Sequence, residues 1–194
     1  MNKALIVLSI VLLASCSPKE IPYENLIKRQ GVYYEINSRT PFTGITLAHH
    51  NNGQVHERLE YKNGITDGLH ERYHKNGAIQ LTGRYKDGLE EGVWQTYWEN
   101  DRVHIKVTYE NGKLWGLQES FSIDGQLTDA GSYRNGKFHG VWMEYWGNGR
   151  VRNKDVYKDD QMDGLQERYT KDGQLKSQAC YKNDERVDIA ICEK

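Results

Sequence analysis

The sequence predicts an all-β fold, an elongated antiparallel β-meander of tandem 24-residue β-hairpin repeats laid out as a single-layer twisted sheet. Three observations predict it. Tyr61, Tyr85, Tyr109, Tyr133, Tyr157 and Tyr181 step by 24 residues without drift. Two more series keep the same step: Gly44, Gly68, Gly92, Gly116, Gly140 and Gly164, and the aromatics Tyr73, Tyr97, Phe121, Tyr145 and Tyr169. Asn-Gly pairs at 63–64 and 76–77 flank short alternating segments, which is a hairpin pattern, and no proline follows Pro41 to interrupt a strand. An array of one supersecondary unit more often binds than catalyses.

Taken in order, residues 1–15 read as an export signal. Lys3 gives a positive start, and the apolar run from Ala4 to Leu13 is too short for a hydrocarbon layer of roughly 30 Å. Leu13-Ala14-Ser15-Cys16 resembles a bacterial lipobox, in which cleavage precedes the cysteine and Cys16 then carries lipid. Residues 16–30 show no period and read as the lipidated N-terminus and a tether. Residues 31–194 form the repeat domain, with repeats near 37–60, 61–84, 85–108, 109–132, 133–156 and 157–180 and a C-terminal cap over 181–194. Cys180 and Cys192 fall at that cap. An exported compartment permits a disulfide between them, and two separate thiols are the other reading.

Side-chain parity sets the expected register. Three-residue loops at Lys75-Asn76-Gly77 and Lys86-Asp87-Gly88 put Tyr73 opposite Ile79, Leu69 opposite Gly83 and Leu81 opposite Val93. Odd-numbered residues then form the tyrosine-rich core face, Trp115 among them. Trp94, Trp98, Trp142 and Trp146 have even parity and point the other way, among polar neighbours. Exposed aromatics in polar surroundings mark them as candidate partner-binding residues. The competing reading lays each indole flat on its own sheet or beneath a neighbouring loop.

Pro41-Phe42-Thr43-Gly44, Tyr61-Lys62-Asn63-Gly64, the stretch from Gly68 to Tyr73, Asn76-Gly77 and their 24-step copies resemble the MORN-variant repeat of bacteria, and within it the YwqK-type proteins that carry an antitoxin label. The resemblance spans about residues 32–187. It implies a non-enzymatic interaction module, and the label implies capture of a toxic protein. The lipoprotein signal departs from a cytoplasmic antitoxin and places the encounter in the cell envelope.

Other chemistry finds little footing. The formal charge is −1, with the signs interspersed, so no basic patch serves nucleic acid. His49, His50 and His56 lack a carboxylate or cysteine to complete a metal-ligand set. Glu71, Glu119 and Glu167 recur every two repeats, about 19 Å apart by strand spacing, whereas paired glycosidase carboxylates stand at most about 9.5 Å apart. No catalytic residue, metal or cofactor is expected. The expected function is a membrane-anchored binding protein with a protein partner, antitoxin-like or immunity-like; the alternative is a scaffolding envelope lipoprotein. Ser17 after Cys16 favours the outer membrane, facing the periplasm or the cell surface.

Overall fold

The computed structural model describes residues 17–192. Cys16 and residues 1–15, expected to be an export signal, lie outside the described residues. The N-terminal segment holds β1 (Glu20–Pro22), a single 3₁₀ turn (Tyr23–Asn25), β2 (Leu26–Arg29) and β3 (Val32–Glu35). The repeats follow as β4 (Gly44–His49), β5 (Val55–Lys62), β6 (Ile65–Tyr73), β7 (Ile79–Lys86), β8 (Leu89–Tyr97), β9 (Val103–Glu110), β10 (Lys113–Leu114) and β11 (Gly116–Phe121). They continue as β12 (Leu127–Arg134), β13 (Lys137–Tyr145), β14 (Val151–Lys158), β15 (Gln161–Met162), β16 (Gly164–Tyr169), β17 (Leu175–Lys182) and β18 (Glu185–Val187). Sixteen strands form one sheet in chain order from β4 to β18, with β1 added parallel to β4 and every other pairing antiparallel. The meander of hairpins is the predicted fold.

Two kinds of loop alternate. At the first kind, His74 N donates to Ala78 O (2.8 Å) and Gly77 N to His74 O (2.9 Å), which leaves the three-residue loop Lys75-Asn76-Gly77 with Gly77 left-handed at φ 86°. Tyr73 faces Ile79 as expected. The second kind differs from expectation. Lys86 pairs directly with Leu89, and Asp87 and Gly88 both have positive φ (50° and 83°), so the loop has two residues. Such a primed turn matches the right-handed twist of its strands. Asn111-Gly112, Asn135-Gly136 and Asp159-Asp160 repeat it.

Bulges correct the rest of the register. Between Arg72 and Tyr73 the pairing shifts by one, so Leu69 faces Arg84 and His70 faces Gly83. A further shift between Thr82 and Arg84 sets Leu81 opposite Thr96 rather than Val93. Two-residue loops pair an odd residue with an even one, and the bulge imposes the same parity across the three-residue loops. Residues directly opposite one another share a face, so one face carries the odd residues of β7 and β9 and the even residues of β6 and β8. Tyr85 and Leu81 still share a side, but Trp94 joins them.

The tether expectation is corrected too. Residues 20–29 fold onto the sheet: β2 and β3 form a small hairpin, and Tyr33 N donates to Gly64 O (2.8 Å). Beneath it lies the main buried cluster, Ile21, Phe42 and Tyr61, with Leu26, Tyr33 and Leu59 packed against it. Leu59 and Tyr61 belong to the tyrosine face, so this hairpin supplies a second layer at the N-terminal end. At the other end a disulfide joins Cys180 to Cys192 (Cα–Cα 5.8 Å), and Asp188 caps the 3₁₀ turn Ile189–Ile191 by accepting from Ala190 N (3.0 Å). Both ends of the array are thereby closed.

Candidate partner-binding surface

The four tryptophans divide into two pairs with different roles. Trp94 is 8% exposed and packs edge-on against Tyr85 (5.1 Å between ring centroids) and Tyr109 (5.8 Å). Trp142 does the same with Tyr133 (6.0 Å) and Phe138 (4.9 Å). Edge-to-face contacts of this kind add about 0.5–1.5 kcal/mol to the area they bury. The indoles therefore lie within the tyrosine face, contrary to the parity expectation, because each hairpin switches parity. Each covers a glycine of the adjacent strand: a Cβ added at Gly83 would collide with the Trp94 ring, and one at Gly131 with the Trp142 ring.

Trp98 and Trp146 open three-residue loops. Trp98 Nε1 donates to Phe121 O (3.1 Å) and Trp146 Nε1 to Tyr169 O (3.3 Å). His50 and His74 reach Tyr73 O and Tyr97 O in the same way (2.9 and 3.0 Å). Two residues further on, the Nδ2 groups of Asn52, Asn76, Asn100 and Asn148 donate to the carbonyls of Lys75, Glu99, Ile123 and Lys171 (2.8–3.4 Å). Every bond reaches 23 residues ahead, so the loops are laced from repeat to repeat. The signal was present in the sequence as His or Trp at 50, 74, 98 and 146 and Asn at 52, 76, 100 and 148.

Trp115, expected in the core, stands 40% exposed. It falls at the break between β10 and β11, where its N–H bonds Thr108 O (2.9 Å) and Gly116 takes φ 75°.

The surface the sequence reading missed lies on the reverse face. Val93, Leu117 and Val141 are 48%, 51% and 39% exposed, and they recur at the 24-residue step between the half-buried Leu69 and Leu165. One repeat advances two strands, roughly 9.6 Å. Beside this row run Arg58–Glu71 (3.5 Å) and Lys154–Glu167 (2.8 Å), which are the former carboxylate candidates held in ion pairs. Lys154 holds the Glu167 carboxyl below the usual range. The arrangement offers a line of branched aliphatics edged by charge.

The tyrosine face has its own polar clamp. Glu57 accepts from His70 Nε2 (2.8 Å) and Arg72 Nε (2.7 Å), and these bonds, His70 first, hold its carboxyl down to about 2. At Asp155 an Arg168 guanidinium takes the corresponding place.

Four stretches of the chain, residues 42–63, 66–87, 90–111 and 162–183, match the family described as MORN repeat variant. The chain is a MORN-variant repeat protein. Residues 112–161 fall between the matched stretches yet build the same hairpins, with Trp115 and Asp159-Asp160 as local departures from the turn chemistry. No curated protein sequence matches. Among solved structures the chain is similar to a GtfA/B complex bound to UDP and GlcNAc, at 18% identity and a TM-score of 0.25. That likeness takes in 62% of this chain and 24% of the other.

Proposed function

We propose that this MORN-variant protein is a lipid-anchored, non-enzymatic module of the cell envelope that captures a partner protein on the reverse face of its sheet, in an antitoxin-like or immunity-like role. The observation that carries the reading is the exposed row Val93, Leu117 and Val141. A sheet normally buries such residues against a second layer, and here the N-terminal hairpin covers only the opposite face at one end. Repeated apolar positions rimmed by ion pairs are the composition of an interaction surface. Support for the anchor is the Leu13-Ala14-Ser15-Cys16 sequence.

Affinity capture with the soluble fragment 17–194 tests the reading. One stoichiometric partner, toxic when expressed alone and neutralised by this protein, is the expected result. A stable set of envelope proteins would support scaffolding instead. Val93→Asp combined with Val141→Asp should lower affinity for the captured partner at least tenfold, while each change at these exposed positions alters folding stability by only about 0.5 kcal/mol. Unchanged affinity in that double variant removes the reverse face from the proposal.

A further inference from the structure

The loop edge of the tyrosine side carries two comparable depressions, three 24-residue repeats apart in sequence, and they differ in charge. The first lies between His74 and Trp98 and is lined by Arg72, Gln80, Thr96 and His104, so Arg72 is its one guanidinium, and Glu57 accepts from it. Trp98 stacks on His104 at 3.7 Å between ring centroids. The second, of about 470 Å³, lies around Trp146 and is lined by Arg152, Arg168, Lys171 and Lys176, with Ser177 and no carboxylate among its lining side chains. Both tryptophans make the same interloop hydrogen bond, so the fold needs the indoles and does not need the cations. One two-repeat step earlier, the positions of Arg152, Arg168, Lys171 and Lys176 are occupied by His104, Ser120, Ile123 and Thr128.

Three of these four charges are also uncompensated. Arg168 is bound to Asp155 and donates to Gln166 Oε1 (3.3 Å), which fixes it at the floor of the depression. Arg152, Lys171 and Lys176 make no side-chain hydrogen bond or ion pair among the described residues. Instead Arg152 lies 4.8 Å and Lys171 5.5 Å from the centre of the Trp146 ring, close enough for cation–π attraction. Like charges gathered on one indole repel one another, and an anion between them relieves that repulsion. Guanidinium forks and ammonium groups together suit the several oxygens of a phosphate.

We propose that the depression around Trp146 binds a phosphate group, held by Arg152, Lys171 and Lys176 above a floor set by Arg168. The site is separate from the reverse face and stands or falls independently of partner capture there. A soluble phosphate ester and a phospholipid headgroup present the same group, and two arms of one experiment distinguish them.

The first arm titrates the soluble fragment with inorganic phosphate and pyrophosphate and follows the Trp146 indole resonance by NMR. The second sediments the protein with vesicles of phosphatidylglycerol or of phosphatidylcholine. Saturable indole shifts without vesicle binding assign a soluble ester. Co-sedimentation with phosphatidylglycerol vesicles alone assigns a headgroup. Arg152→His with Lys176→Thr installs residues that the fold already carries 48 positions earlier, and it should weaken binding at least tenfold in whichever arm responds. Lys171→Gln, at an exposed loop position, should weaken it several-fold and serves if the double variant folds poorly. No response in either arm, or undiminished binding by both variants, overturns the site.

Discussion

Gly83 and Gly131 show how one missing side chain fixes its neighbour. Each leaves a flat patch of backbone on which an indole lies, and they recur at 48 residues together with Trp94 and Trp142. Overpacking at such a contact costs about 1–3 kcal/mol. Gly83→Ala should therefore destabilise the protein by that amount in urea unfolding, whereas Gly149→Ala, where a Cβ meets nothing within 4 Å, loses only what its left-handed φ of 78° demands. Glu57 makes a second prediction at this scale. Its folded-state pKa of about 2 lies below the ordinary 4.5, because His70 and Arg72 donate to the carboxylate. A depressed pKa contributes stability that is complete above the ordinary value and fades as pH falls from about 4.5 towards 2. Glu57→Gln should flatten the thermal-midpoint curve across that acid window, and an undiminished slope would mean that the clamp contributes nothing to folding.

At the scale of strands and loops, the period and the turn residues made the hairpins legible, and Asn76-Gly77 gave the correct three-residue loop. Parity carried the reading astray. A single-residue bulge at Arg72/Tyr73 and a two-residue loop at Asp87-Gly88 each change which face a side chain occupies. Bulges leave no residue signature as plain as Asn-Gly, so parity alone places Trp94 and Trp142 on the wrong side. The N-terminal hairpin was illegible for another reason. Its strands have three or four residues and no period, and they are held by Ile21, Tyr33 and Phe42 against the first repeat. At the opposite end the Cys180–Cys192 bond closes a loop of a length associated with about 3 kcal/mol. Because repeats in an array mainly support their neighbours, reduction should speed amide exchange over β17 and β18 while leaving β6 and β7 unchanged. A uniform increase along the chain would instead indicate one cooperative unit.

The whole molecule is an open sheet with a closed beginning and a closed end. Short terminal strands, Pro22 in β1 and the disulfide after β18 protect its edges. Its faces are unequal in a manner the tyrosine series alone did not disclose: aromatic rings cover their own glycines on one side, and branched aliphatics stand open on the other. The proposed capture of a partner depends on that inequality. Labelling of one introduced free thiol tests it most directly, with Val93→Cys, Leu117→Cys and Val141→Cys compared with Trp94→Cys and Trp142→Cys, all in a Cys16→Ser background with the Cys180–Cys192 disulfide kept oxidised. The first three should react with a bulky maleimide nearly as fast as an exposed thiol, and the last two much more slowly. The reverse order of rates would contradict the assignment of the faces.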